Sequence, residues 1–162
     1  MTPSTLSAAE ELEPVFERAA RADVPAIVAL LADDMLGAGR ENPDEANLEP
    51  YFAAFEDIRA DPNQFLCVAR LGGEVVGTLQ LSFIPGLSRG GAKRGQIEAV
   101  RVAGSQRGQG LGEKLITWAL GKCREHGCSL VQLTTDMRRQ DAHRFYERLG
   151  FTASHAGFKL EL

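Results

Sequence analysis

Apolar residues along this chain recur with two periods, and the changes between them mark its elements. From Glu74 to Phe83 the positions Val75, Gly77, Leu79, Leu81 and Phe83 alternate with polar or smaller ones, the period of a half-buried strand. Phe65 to Arg70 is a second strand-like run, and the Gly72-Gly73 pair between them supplies a hairpin turn. From Gly110 the period becomes helical: Leu111, Leu115, Ala119 and Cys123 stack at four-residue spacing, and Gly127 provides a stop.

The remaining segments follow from the same reading. Val15 to Ala20 predicts a first strand. Asp23 and Pro25 give an N-cap and an early helical proline to the pattern Ile27, Leu30, Leu31. Asn47 to Ile58, with Tyr51, Phe52 and Phe55 at helical spacing, predicts a second helix. Ile84 to Gly95 mixes Gly and Pro with basic residues and reads as a loop. Gln96 to Val102 reads as a strand with Glu98, Val100 and Val102 on one face and Ile97, Ala99 and Arg101 on the other. Leu130, Val131 and Leu133 predict a buried strand, Ala142, Phe145 and Leu149 a last helix stopped by Gly150, and Phe158 to Leu162 a closing strand. The fold class expected is α/β: a mixed sheet of about six or seven strands flanked by about four helices.

Composition narrows the class. A chain of 162 residues, 44% hydrophobic and 25% charged, fits one domain over residues 14–162 behind a flexible tail over residues 1–13. A net charge of −4 argues against a general nucleic-acid or anionic-membrane partner. Basic residues nevertheless gather as Arg89, Lys93, Arg94, Arg101 and Arg107. Cys67, Cys123 and Cys128 form no C-x-x-C pair and read as reduced, packed thiols. His126 and His155 lack ligand spacing, so no metal is expected. With no apolar leader and no run of transmembrane length, the expectation is a cytoplasmic monomer or homodimer.

The chemistry concentrates in Arg107-Gly108-Gln109-Gly110-Leu111-Gly112, between the Gln96 to Val102 strand and the following helix. Three glycines in five positions let successive backbone N–H groups converge on a pyrophosphate, and the helix N-terminus adds positive partial charge. Arg107 supplies a permanent cation beside the same oxygens. A second motif stands near the C-terminus: Asp141-Ala142-His143-Arg144-Phe145-Tyr146-Glu147-Arg148-Leu149-Gly150-Phe151.

Together the strand, the R-G-Q-G-L-G turn, the helix and the A-x-x-F-Y-x-x-x-G-F segment resemble the GNAT superfamily of N-acetyltransferases, closely from about Gln96 to Phe151. The resemblance implies that acetyl-coenzyme A lies along Val100, Arg101 and Val102, whose backbone groups hold the pantetheine arm. A main-chain N–H near Val100 would face the thioester oxygen. It places Tyr146 beside the cofactor sulfur as general acid to the departing thiolate. Glu98, the one carboxylate of an apolar strand, would be the base or order a water leading to the amine, its pKa raised by burial. Arg144, Arg148 and Lys114 are candidates for the cofactor's 3′-phosphate. Where many relatives carry asparagine seven residues before the tyrosine, this chain has Arg139. The activity implied is acetyl transfer from acetyl-coenzyme A to a primary amine of a small molecule or peptide.

Two other readings compete. A nicotinamide-dependent oxidoreductase also uses a glycine-rich turn, but its fingerprint needs glycine at position 113, which is Glu113. A silent acyl-coenzyme A sensor would keep the turn without the chemistry; the presence of both Tyr146 and Glu98 speaks for the enzyme.

Overall fold

The computed structural model describes residues 12–162, so the tail expected over residues 1–13 lies almost wholly outside the described residues. The elements are β1 (Val15–Arg18), α1 (Val24–Ala32), α2 (Glu49–Ala60), β2 (Gln64–Leu71), β3 (Glu74–Ile84), a single turn α3 (Ser88–Gly91), β4 (Lys93–Val102), α4 (Leu111–Glu125), β5 (Cys128–Leu133) and α5 (Gln140–Arg148). The strands form one mixed sheet in the order β1-β2-β3-β4-β5, antiparallel except for the parallel pair β4 and β5. Gly72 (φ 57°) and Gly73 (φ 87°) make the β2–β3 turn, a conformation that only glycine adopts without strain.

Alternation along the strands sorts the core into two layers. Cys67, Ala69, Leu79, Leu81, Phe83 and Ile97 pack on one face beneath Leu115, Ile116, Ala119 and Cys123 of α4. On the other face Val68 and Leu66 meet Val24, Ile27 and Val28 of α1 and Phe55 of α2. α1 and α2 thus cover one side of the sheet, and α4 with α5 the other. Asp23 departs from its expected role. Instead of capping α1 it accepts from the Ala20 N–H at 2.8 Å and holds Arg70 of β2 with both oxygens at 2.7 and 2.8 Å, which clamps the start of α1 onto the sheet.

Two expectations are corrected. β4 begins at Lys93, inside the segment read as a loop, because Gly95 is a packing glycine: a β-carbon there would stand 2.4 Å from Cys123 Sγ. Its missing side chain lets α4 close over the sheet. The sheet has five strands, because Phe158 to Leu162 forms none; no strand of the described chain receives it, and Phe158 and Leu160 stay 95% and 87% exposed. Among the described residues no helix is long and apolar enough to cross a membrane.

Candidate active site

The site is built on an irregularity of β4. Thr78 pairs with Arg101 and Gln80 with Glu98, so Leu79 alone opposes both Ala99 and Val100. This is a β-bulge, with Ala99 left-handed at φ 54°. The extra residue resets the alternation and corrects the faces expected from sequence. Ile97, Val100 and Val102 share the α4 side, while Ala99 and Arg101 look toward α1.

β4 and β5 then part. Their parallel pairing ends at Ile97 and Leu133, although β4 runs on to Val102. From Glu98 onward β4 therefore offers unpaired backbone on that side, the edge along which a pantetheine arm can lie as a partial strand. The strand leads through Gly104–Gln106 into the glycine turn. Gly108 (φ 76°) and Gly110 (φ 82°) are both left-handed, and a β-carbon on either would meet nothing within 4 Å. The turn is open space facing the N-terminus of the fifteen-residue α4, whose first-turn N–H groups have no intrahelical acceptor. These features fit the pyrophosphate of coenzyme A. Gly112 lies in the first turn of α4, where a β-carbon would be 3.5 Å from Phe145 of α5, an ordinary contact distance. Gln109 turns its side-chain amide back to the Ser105 carbonyl, and Leu111 is buried.

The Arg107 guanidinium donates to the Val102 carbonyl at 3.2 Å and to the Asp33 carbonyl at 3.0 Å, tying the end of β4 to the end of α1. Lys114 pairs with Glu13 at 2.9 Å, Arg144 with Asp141, and Arg148 lies 5.6 Å over the Phe145 ring.

Tyr146 stands on α5 between Phe145 and Phe151, in edge contact with both rings. Burial pushes its phenol up; the cations of Arg101 and Arg139 work against that shift without cancelling it. Glu98 is exposed, so the burial expected to act on it is absent. It sits opposite Gln80 on the neighbouring strand, on the side open to water. His143 faces the Asp136 carbonyl at 3.1 Å, and His126 stacks on Phe83.

Sequence reasoning missed an arginine cluster around α1. Asp34 accepts from the N–H groups of Leu36 and Gly37 at 3.2 and 3.1 Å and from Arg139, with Arg101 Nη2 3.6 Å away. Burial acts to raise its carboxyl, but these hydrogen bonds and cations prevail and hold it below the usual aspartate range. Arg101 is 12% exposed; Nη1 donates to the Val100 carbonyl at 2.9 Å, while Nε is buried with no partner. Arginine between Val100 and Val102 was the available signal. A cavity of about 170 Å³ opens beside it, walled by Val28, Leu31, Tyr51, Phe55, Ile58 and Ala99. Among the described residues no three His, Cys, Asp or Glu side chains gather to hold a metal.

A sheet whose parallel strands part beside a glycine turn at a helix N-terminus, with a cavity between the sheet and α1 and α2, suits an acyl-coenzyme A transferase. The sequence matches the Acetyltransferase (GNAT) family over residues 25–151, and the chain belongs to that family. It is similar to an aminoalkylphosphonate N-acetyltransferase of Salmonella typhimurium, 32% identical over 92% of this chain and 93% of that one. A glucosamine 6-phosphate N-acetyltransferase of Trypanosoma brucei brucei is 39% identical over 56% of this chain and 59% of that one. Among solved structures, one titled a transcriptional regulator from Bacillus halodurans aligns at a TM-score of 0.90 and 45% identity, covering 93% of this chain and all of the other. The chain is accordingly an acetyl-coenzyme A-dependent N-acetyltransferase.

Proposed function

We propose that the protein transfers the acetyl group directly from acetyl-coenzyme A to a primary amine while both are bound. The observation that carries this reading is the juxtaposition at Ala99: the parted β4–β5 edge on one side, the cavity on the other, and the bulge between them. An amine entering from the α1–α2 side reaches the bulge, where a main-chain N–H at Val100 stabilises the tetrahedral oxyanion. Its nitrogen forms the new bond to the acetyl carbon as the carbon–sulfur bond breaks. Tyr146, kept protonated by burial, gives its proton to the leaving thiolate. Glu98, exposed to solvent, takes the amine's proton through water. Gly108 and Gly110 receive the pyrophosphate.

A small acceptor is favoured by two of the three curated relatives, named for an aminoalkylphosphonate and for glucosamine 6-phosphate; the third, an N-alpha-acetyltransferase, matches only 39% of this chain. The reading also places the reaction in a reducing cytoplasm, where the three free thiols persist unpaired. The test is coenzyme A release, followed with a thiol reagent, over a panel of amino acids, aminophosphonates, amino sugars, polyamines and peptides. At least one class should give saturable turnover. Thermal stabilisation by coenzyme A with no thiol release on any amine would make the protein a sensor instead.

A further inference from the structure

The acceptor side of the sheet carries two chemistries on one rim. The cavity is apolar and lined by no charged side chain; Thr78 at its floor already donates its hydroxyl to the Cys67 carbonyl at 2.8 Å. Its volume of about 170 Å³ is on the scale of an apolar cavity that takes up a benzene-sized molecule. Beside it, among the described residues, Arg101, Arg139 and Arg40 face two carboxylates, Asp34 and Glu41, which leaves one positive charge in excess there. The two regions touch. Tyr51 walls the cavity and donates to Glu41 at 2.9 Å, while Leu31 and Ala99 wall it close in sequence to Asp34 and Arg101. Arg101 keeps a buried Nε without an acceptor, an arrangement that costs stability unless a ligand supplies the oxygen.

We infer that the acceptor is an amphipathic amine: an apolar substituent fills the cavity, and a carboxylate or phosphonate on the same molecule binds Arg101 and Arg139. The amine is thereby held at the Ala99 bulge, facing the parted β4–β5 edge. This rests on the proposed acetyl transfer and names its substrate class. A polar sugar leaves the cavity wet, and an amine without the oxyanion leaves Arg101 unmatched.

The experiment compares leucine and 1-amino-3-methylbutylphosphonate, which carry both groups, with 3-methylbutylamine, which lacks the oxyanion, and with glycine and aminomethylphosphonate, which lack the apolar group. Acceptors with both groups should exceed the others by about 100-fold in kcat/KM, the phosphonates telling which oxyanion is preferred. Arg101→Gln, or Arg139→Gln should the first misfold, should bring leucine to within a few-fold of 3-methylbutylamine while acetyl-coenzyme A affinity by calorimetry stays the same. Ala54→Phe, at the cavity wall, should narrow the gap between leucine and glycine. Equal or better turnover of 3-methylbutylamine, or an Arg101→Gln loss confined to acetyl-coenzyme A binding, overturns the inference and leaves the acetyl transfer standing. Acetyl-coenzyme A binding with no acetylation of any amine overturns the transfer itself.

Discussion

Tyr146 and Arg101 stand on different elements, yet the arginine's charge acts on the phenol. Burial raises the phenol, and the nearby Arg101 and Arg139 limit the rise, so it stays protonated throughout the neutral range and available as an acid. The chain has two tyrosines, so in Tyr51→Phe an absorbance titration reports Tyr146 alone. It should ionise above 10, and Arg139→Gln should move it higher still, because a cation favouring the phenolate is gone. A midpoint at or below 10 in the Tyr51→Phe protein would contradict this environment. Tyr146→Phe keeps the ring packing and should lower kcat by about 10²–10⁴-fold, with no rescue at high pH. Glu98→Gln should instead be rescued as pH rises and the amine loses its proton unaided. Asp34 gives a test on stability. Its folded-state pKa is depressed, so its contribution is complete above the ordinary value of 3.8 and is lost as pH falls through the lower native value. Asp34→Asn should cost about 2–4 kcal/mol in urea unfolding at neutral pH, with the gap to wild type closing below about pH 4. Tyr146 was legible in sequence because its neighbours form a distinctive pattern. Arg101 was legible only as backbone, because strict alternation gave no reason to aim its side chain at α1.

At the scale of elements, the same bulge explains most of what sequence could not supply. An alanine at φ 54° has no sequence signature, and one unsignalled residue reverses every face assigned after it. The hairpin and α4 were readable because Gly72-Gly73 and the glycine turn state their backbone requirements directly. Gly95 misled for the same reason: glycine marks a loop by its freedom, but here it is selected by Cys123 lying against the strand. The last strand was readable as a pattern and absent as a structure, since a strand exists only where a neighbour accepts its hydrogen bonds. The glycine turn allows a clean test. Gly110 is left-handed with empty space where a β-carbon would go, so Gly110→Ala incurs backbone strain of about 1 kcal/mol and puts a methyl group into that space. Acetyl-coenzyme A affinity should fall by about 10-fold or more in calorimetry, beyond what that small stability loss accounts for. Unchanged affinity would move the pyrophosphate away from Gly110.

For the molecule as a whole, the question is whether the acetyl group ever rests on the protein. A covalent route needs a nucleophile at the gap, and the three thiols lie elsewhere: Cys67 in the middle of β2, Cys123 on the buried side of α4, Cys128 at the start of β5. Burial pushes Cys67 up to about 12 and Cys123 up to about 11, and it raises Cys128 as well, so almost no thiolate exists near neutrality. The Lys93 cation works against the rise at Cys128 without cancelling it, and Cys128 sits at the start of β5, the end opposite the parted edge. The sheet instead brings its two entrances to one bulge, an arrangement useful only if both substrates are present together. Initial rates at several fixed acceptor concentrations should therefore give double-reciprocal lines that intersect. Protein incubated with acetyl-coenzyme A alone should gain no acetyl group by mass spectrometry, and a variant with all three cysteines replaced by alanine, if folded, should retain turnover. Parallel lines together with an acetylated cysteine would require a two-step transfer that this geometry does not provide.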